Sequence, residues 1–307
     1  MSIVDVTREL LVRYLDTWTP TALHTARRAT FAQYWAGPAD VGVAEAALRV
    51  FAEFTDRLRG RRLAVVLVAP ETDELAARLD AVQAELGTPP ELSVHTVAGD
   101  RLAVALKAAG AAGAPVLAYL DSAAGPAGPT DAGGAADAGG VPVEAVAVGR
   151  PAELILVAPA GGWTGYRQAL RDAGFTLTAG VELVEGTGSR LVAFATSSAK
   201  SLEAFKNSLW AVDEYAGVRY RDPGDPDGHL LDISLSPHPG PLRRELLAHL
   251  DAVGECTVVD LRHFTLTETI FRAADTVRVV TALLAAGAVT RSPERGRLSG
   301  DVVISLA

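Results

Sequence analysis

The sequence predicts an α/β protein, with a Rossmann-like, doubly wound sheet followed by a C-terminal winged-helix-like unit. Through about residue 170, apolar runs alternate with amphipathic segments, which is typical of a parallel sheet covered by helices on both faces. The last third has a different pattern, three helices followed by a hairpin, which is the plan of a winged helix. We therefore expect two domains, residues 1–236 and 237–307.

The first domain opens with apolar residues at helical spacing over 5–18, and Pro20 is expected to end this helix. An apolar strand is expected at 30–35, followed by the turn "AGPADVG" and a helix over 44–58. Continuous apolar runs then indicate strands that are buried on both faces. These strands are expected at 62–69, 92–97, 115–121 and 152–158, with helices at 72–86 and from Asp100.

The rest of the first domain is expected to leave the parallel pattern. "TAGVELVE" and "SRLVAFAT", joined by "GTG", indicate a hairpin. A helix is expected over Ser201–Val212 with Ser201 as its N-cap, followed by a strand at "LLDISL". Residues 122–140 consist of Gly, Ala, Pro, Asp, Ser and Thr, and we expect a mobile loop there without a role of its own.

Composition excludes several classes of protein. The formal net charge of -9 argues against a globally basic nucleic-acid surface, and the single cysteine, Cys256, excludes a disulfide framework within one chain. No apolar run approaches the length of a membrane span, so we expect a cytoplasmic protein without membrane contact. Only three lysines occur, which we interpret as the bias of a GC-rich bacterial genome. No histidine pair has metal-ligand spacing, so no metal site is expected.

Three stretches, in this order, carry a resemblance to a known family: "LLVRYLDTW", "WAGPA" and "FATSSAKSLEAFKNSLWAVD" (Phe194–Asp213). They resemble the three-Cys-motif partner family, which is similar to class I methyltransferases. The resemblance implies a methyltransferase-like sheet with S-adenosylmethionine as its cofactor. It also implies a genomic neighbour that contains three cysteines.

The resemblance also implies roles for individual residues. Gly37 and Pro38 match the cofactor turn, and Asp100 matches an acid near the adenine. Asp121 matches the acid that opens a motif on the substrate side, which makes it the candidate catalytic residue. Each acid has a structural alternative, because Asp100 could cap a helix and Asp121 could simply begin a loop.

Other positions depart from the family pattern. Gln33 stands where the family has an acid near the amino-acid end of the cofactor. The methyl group of Ala39 limits how closely a ligand can approach the backbone of the turn. Ala69 replaces the ribose-binding acid, although Glu71 lies two residues further on and could substitute for it. Each lost charge-assisted hydrogen bond costs roughly 1.5–3 kcal/mol. We therefore expect cofactor binding to be weakened by roughly one to two orders of magnitude, or lost.

The C-terminal unit leaves a second function open. From Pro239 to Ala307 eight arginines balance eight acids, whereas a DNA-binding winged helix usually has a basic face. Arg291, Arg295 and Arg297 cluster on the expected wing, so nucleic-acid binding there is open but not favoured over a structural role, a protein partner or a homodimer. The two hypotheses are a methyltransferase using Gly37, Asp100 and Asp121, and a non-catalytic interaction or DNA-binding protein acting through its tail.

Overall fold

A large mixed sheet forms the centre of the molecule in this computed structural model, which describes residues 2–123, 141–212 and 217–307. Its strands are β1 (Arg28–Trp35), β2 (Arg62–Ala69), β3 (Leu92–Ala98), β4 (Val116–Asp121), β5 (Ala152–Pro159), β6 (Leu177–Glu185), β7 (Gly188–Thr196), β8 (Val218–Arg221) and β9 (Leu230–Leu231). Their order is β3-β2-β1-β4-β5-β7-β6-β8-β9.

The first five strands run parallel to one another. Strand β7 is inserted antiparallel between β5 and β6, and β8 and β9 extend the edge antiparallel. Strands β1 and β4 are neighbours although two other strands separate them in sequence. At such a switch point, doubly wound sheets bind ligands beyond the carboxyl ends of their strands. The predicted α/β class and doubly wound sheet are confirmed.

Helices cover both faces of this sheet. They are α1 (Ile3–Thr25), α2 (Val41–Glu53), α3 (Thr55–Leu58), α4 (Asp73–Leu86), α5 (Leu102–Ala108), α6 (Val143–Val146), α7 (Trp163–Asp172) and α8 (Ala199–Ala211). Side chains of β1 alternate between the two layers: Phe31 and Trp35 belong to the apolar core that includes residues of α1, α2 and α8, whereas Ala32 and Tyr34 belong to the core that includes residues of α5 and α7. This alternation follows from the pleat of the strand.

The C-terminal unit contains three helices and a small antiparallel sheet. In chain order its elements are α9 (Gly240–Val253), β10 (Glu255–Thr257), α10 (Val258–Glu268), α11 (Ala273–Ala285), β11 (Val289–Ser292) and β12 (Val303–Leu306). The predicted hairpin is β11–β12, and β10 pairs with the other side of β12. Strand β10 could not be predicted from the sequence, because three residues are too few to show a period.

Two predicted helix boundaries in the first domain were wrong. Helix α1 passes through Pro20 and continues to Thr25, because burial of Trp18, Ala22 and Leu23 offsets the cost of the proline. The helix predicted over 44–58 is interrupted after Glu53. There the Thr55 hydroxyl donates to the Ala52 carbonyl at 2.7 Å, a local bond that competes with helix geometry.

The predicted N-cap of α8 was also wrong. Ser198 caps this helix by accepting a hydrogen bond from the Ser201 N–H at 3.2 Å. The Ser201 hydroxyl instead donates to the buried Glu153 carboxylate at 2.6 Å. A buried carboxylate needs such partners, so packing decided which serine serves as the cap.

The strand predicted at "LLDISL" is limited to Leu230–Leu231, which pairs with the unpredicted strand β8. The following segment is held by side chains instead: Arg272 donates to the Leu235 carbonyl at 2.8 Å, and Arg278 to the Pro237 carbonyl at 3.1 Å.

The predicted mobile loop lies almost wholly outside the described residues. No helix of the described part of the chain is both long and apolar enough to cross a bilayer.

Candidate functional site

The turn after β1 joins three elements at the carboxyl edge of the sheet. The Ala36 N–H donates to the Asp121 carbonyl at 2.9 Å, which ties the turn to the end of β4. The chain bends through Gly37 and Pro38 and enters α2 behind Asp40, whose carboxylate accepts from the Val43 N–H at 3.0 Å. The strand, the turn and the capped helix therefore hold Gly37 and Pro38 in place.

A cavity of about 790 Å³ opens at this edge, and we call it the carboxyl-edge cavity. It lies between the turn after β1 and the start of α4, beyond the ends of β1, β2 and β3. Three of the predicted cofactor residues line it, namely Gly37, Pro38 and Glu71. The other lining residues are Ala36, Ala39, Val41, Pro70, Thr72, Asp73, Glu74, Leu75 and Ala98.

The lining of the carboxyl-edge cavity is acidic. Glu71, Asp73 and Glu74 contribute carboxylates, whereas no lysine or arginine lines it. A ligand that carries phosphate groups would meet repulsion here, because phosphate sites are normally built from cationic side chains or helix N-termini. The N-terminus of α2 is already occupied by the Asp40 carboxylate, and the first turn of α4 carries the acids Asp73 and Glu74. The cavity thus suits a ligand without phosphate and with positive charge.

Asp121 lies beside the turn but not in the cavity lining. It is 8% exposed, and its carboxylate accepts from the Ala123 N–H at 2.9 Å and lies 4.0 Å from Arg190 Nη1. Burial raises the pKa of Tyr119 on the same strand, and the charges of Asp121 and Asp40 add to this increase. The carboxylate of Asp121 therefore contributes to a negative field at the carboxyl end of β4.

Asp100 is exposed and does not line the cavity. Helix α5 begins at Leu102 behind Arg101 and has no side-chain cap, so the helix-cap alternative for Asp100 is not realised. Its charge reaches Tyr34 on β1: burial raises the pKa of the Tyr34 phenol, and Asp100 raises it further. Asp100 thus lies on the α5 side of the sheet, near the end of β1.

Gln33 is fully buried within β1 and does not contact the cavity. Its alternation with Phe31 and Trp35 places it in the layer of α1 and α2. Neither its amide nitrogen nor its amide oxygen has a hydrogen-bond partner in the described part of the protein. Ala69, the other departure from the family pattern, is completely buried at the end of β2.

A second cavity, of about 440 Å³, lies where the large sheet meets the C-terminal unit, and we call it the junction cavity. Asp222, Glu245 and Glu268 contribute to its acidic lining. Burial raises the pKa of Asp222, and burial together with the Asp222 charge raises that of Glu245 to about 7.

Asp225, Asp227 and His229, which also line the junction cavity, bring their ligand atoms within 4.8 Å of one another. They are already engaged, because the Asp225 carboxylate lies 2.8 Å from His229 Nδ1 and accepts from the backbone N–H groups of both other residues. The arrangement is therefore explained by the turn itself.

Lys206, which the sequence analysis did not single out, is fully buried next to the junction cavity. Its ammonium donates to the carbonyls of Thr265 at 3.1 Å, Thr269 at 2.5 Å and Phe271 at 3.0 Å, so α8 is joined to the end of α10. A signal was present in the sequence, because Lys206 shares a helix face with Leu202 and Trp210.

The arginines of the expected wing are not all free. The Arg291 guanidinium donates to the carbonyls of Pro293 at 2.9 Å, Gly296 at 3.1 Å and Arg297 at 3.3 Å, so it braces its own loop. The side chains of Arg295 and Arg297 are exposed.

Comparisons with known proteins give likeness in structure alone. No model of a protein family matches the chain, and a search of curated proteins found no match. Among solved structures, the METTL16 MTase domain is 10% identical with a TM-score of 0.37, over 60% of this chain and 66% of that chain. SMU.1697c from Streptococcus mutans, crystallised in complex with SAH, is 8% identical with a TM-score of 0.36, over 64% of this chain and 98% of that chain. The N-terminal domain of human METTL16 in complex with SAH is 13% identical with a TM-score of 0.36, over 61% and 68% of the two chains.

Proposed function

We propose that the chain is a methyltransferase-like protein that binds S-adenosylmethionine or S-adenosylhomocysteine in the carboxyl-edge cavity. The observation that carries the proposal is the position and charge of this cavity. It opens beyond the carboxyl ends of β1–β3, beside the β1–β4 switch point, and carboxylates are the only charged groups in its lining. S-adenosylmethionine has no phosphate, and its sulfonium and ammonium groups give it a net positive charge.

The residues present fit such a ligand in part. Gly37 and Pro38 would hold it at the turn, and Glu71, the lining carboxylate that follows β2 most closely, would bind its ribose hydroxyls. The ligand would supply an activated methyl group on sulfur. The chain would orient the methyl donor and its acceptor. The Asp121 carboxylate at the end of β4 would disfavour a negatively charged methyl acceptor next to it.

The proposed binding is weak. Ala39 adds a methyl group to the turn, Ala69 is buried and has no carboxylate, and Gln33 does not reach the cavity. Each of these positions stands where the resembled family has a better contact. We expect a dissociation constant above about 1 μM for S-adenosylhomocysteine.

Isothermal titration calorimetry with S-adenosylmethionine and S-adenosylhomocysteine tests the proposal. Glu71→Gln should weaken binding about tenfold, since it removes one charge-assisted hydrogen bond. Asp80→Asn is the matched control, because Asp80 is an exposed acid of α4 outside the cavity lining. Absence of binding at millimolar ligand, or equal losses in the two variants, would refute the proposed site.

Asp100→Ala provides a separate test of the residue that lies away from the cavity lining. If Asp100 contacts the adenine, this variant loses binding while its thermal stability stays unchanged. An unchanged affinity would remove Asp100 from the site and leave the cavity proposal standing on Glu71.

For the C-terminal unit we propose a supporting role rather than DNA recognition. What supports this is the use of its arginines: Arg291 braces the wing loop, while Arg272 and Arg278 both bind Asp275 and the linker before α9. Arg295 and Arg297 are exposed and carry no part of this proposal.

A further inference from the structure

Arginines gather at the amino ends of β1 and β2, the sheet edge opposite the carboxyl-edge cavity. This N-edge arginine cluster consists of Arg27, Arg28, Arg57, Arg59, Arg61 and Arg62. Arg28 and Arg62 are direct cross-strand partners at the start of the β1–β2 ladder. The Arg28 guanidinium is engaged, because it donates to the Ala112 carbonyl at 3.1 Å. The Arg62 side chain forms no such bond within the described chain, so an anion at this edge would supply the partner that it lacks.

Three members of the cluster line a cleft of about 460 Å³, together with Gly60, Pro90 and Glu91. The backbone shapes this cleft, because the Arg62 N–H donates to the Arg27 carbonyl at 2.8 Å. Arg61 is held by its Nε, which donates to the Leu23 carbonyl in the last turn of α1. The cleft is thus built on fixed backbone, with one acid among three arginines.

Several guanidinium groups of the cluster are not engaged in contacts within the described part of the protein. Within the described chain, Arg27, Arg57 and Arg62 form no side-chain hydrogen bond or ion pair. Arg59 pairs with Asp56 at 3.1 Å, but both side chains are more than four-fifths exposed, so water screens that pair strongly. Unpaired guanidinium groups offer planar donors that match phosphate oxygens.

We propose that the N-edge arginine cluster binds the phosphate backbone of a nucleic acid. Arg57 and Arg59 lie outside the cleft lining but within three residues of Gly60 in sequence, so the cluster offers more guanidinium groups than one phosphate group requires. A protein partner would require an apolar centre. The exposed large apolar side chains of the described chain all lie outside segments 26–28, 57–62 and 89–91. A polar, positively charged surface is instead typical of nucleic-acid interfaces.

This surface is separate from the proposed cofactor site. The carboxyl-edge cavity lies at the other end of the same strands, and seven or eight residues of strand span roughly 25 Å. The cluster would therefore tether a nucleic acid rather than present a base to the cavity. The inference does not depend on methyl transfer.

The test uses the full-length protein and a labelled single-stranded oligonucleotide of about 20 nucleotides, followed by fluorescence anisotropy. Neutralising about three phosphates predicts that a roughly threefold rise in salt weakens binding about tenfold. The double variant Arg27→Gln/Arg62→Gln should weaken binding at least about tenfold at low salt. Its matched control, Arg295→Gln/Arg297→Gln, removes the same charge from the exposed wing and should bind like the wild type.

Several outcomes would overturn the proposal. These are no binding at low salt, an equal or larger loss in the wing variant, and competition by polyglutamate that equals competition by unlabelled oligonucleotide. Thermal unfolding of both variants checks that the fold is intact, as expected for exposed side chains. Calorimetry of the cluster variant with S-adenosylhomocysteine distinguishes the two proposals, because the cofactor affinity should not change.

Discussion

Lys206 shows how one buried side chain can join two parts of a protein. Its three ammonium protons match three backbone carbonyls in the last turn of α10 and just after it. Burial lowers its pKa to about 7, although the charges of Asp222, Glu245, Glu268 and Asp275 oppose the shift. The balance between desolvation and these partners makes Lys206 sensitive to pH.

The sign of that pH dependence follows from proton binding. An unfolded chain keeps the Lys206 proton up to its ordinary pKa of 10.5, whereas the folded protein releases it near a pKa of about 7. Between these values the unfolded state binds more protons, so this group's contribution to the free energy of unfolding rises with pH. Relative to Lys206→Met, the wild type should gain up to about 1.4 kcal/mol per pH unit between about pH 8 and about pH 10.

Urea unfolding at several pH values measures this difference. This pH range lies above the pKa of Glu245, which is about 7, so the Glu245 carboxyl adds little to the change in free energy of unfolding with pH. Parallel pH profiles for wild type and variant would show that the three carbonyls hold the proton to higher pH, and the predicted shift would be wrong.

Gln33 allows a second prediction at the scale of the residue. Its amide is buried without a partner in the described protein, and it does not line the carboxyl-edge cavity. Gln33→Met should therefore raise the free energy of unfolding by about 1–2 kcal/mol, because an unsatisfied buried amide is removed. The affinity for S-adenosylhomocysteine should stay the same.

The control for this variant is Gln83→Met, since the Gln83 amide lies partly exposed and donates to Thr88 at 3.4 Å. That substitution should change stability little. If Gln33→Met instead lowers both stability and cofactor affinity, the amide has a role that the cavity lining does not reveal.

Among the elements, the β6–β7 hairpin depends on a glycine that faces an aromatic ring. A methyl group at Gly180 would lie 3.0 Å from three ring atoms of Trp163, the first residue of α7. Gly180→Ala should therefore destabilise the protein by about 1–3 kcal/mol through overpacking and should move the indole. Chemical unfolding and near-ultraviolet circular dichroism measure the two effects.

Gly188→Ala serves as the control on the same hairpin, where the added methyl group would meet only the Glu185 carbonyl oxygen at 3.4 Å. Gly180→Ala should also cost less stability when it is introduced into Trp163→Leu than when it is introduced into the wild type, because leucine leaves room for the added methyl group. A destabilisation of equal size at both glycines would point to backbone effects rather than to the ring.

Elements with strong periodicity were the ones that could be predicted from sequence. Strands β2, β4 and β5 are continuous apolar runs, and the structure places them within a residue or two of the expected bounds. Strands β8 and β10 are too short to show a period. The path of α1 through Pro20 depends on tertiary burial, which local rules do not contain.

The candidate site divides along similar lines. The turn at Gly37 could be predicted because parallel strands end at one edge, and Glu71 follows the neighbouring strand and lines the same cavity. The face of the sheet on which Gln33 lies is set by the alternation of side chains along β1, so a shift of one residue would place it on the other face. The N-edge arginine cluster required the β1–β2 pairing, which brings residues 27–28 and 57–62 together across more than 25 positions of sequence.

At the scale of the whole molecule, the C-terminal unit shares polar contacts with α7 and α8, two of the helices that cover the large sheet. The Trp210 indole N–H donates to the Ile270 carbonyl at 3.0 Å, and its ring stacks on Phe271 with centroids 5.5 Å apart. Arg167 and Glu268 add an ion pair of 2.7 Å across the same junction. Because separation would leave Lys206 and several carbonyls without partners, we expect both parts to unfold in one cooperative transition.

The chain provides a separate probe for each part. All four tryptophans precede residue 237, whereas the only cysteine, Cys256, lies on β10 and is partly buried. In increasing urea, tryptophan fluorescence and the reactivity of the Cys256 thiol should change at the same midpoint. Trp210→Phe, which leaves the Ile270 carbonyl without its donor, should lower both midpoints together and cost about 1–3 kcal/mol. A thiol that becomes reactive at clearly lower urea than the fluorescence midpoint would show that the C-terminal unit unfolds alone, and the junction would then be a contact between independent domains.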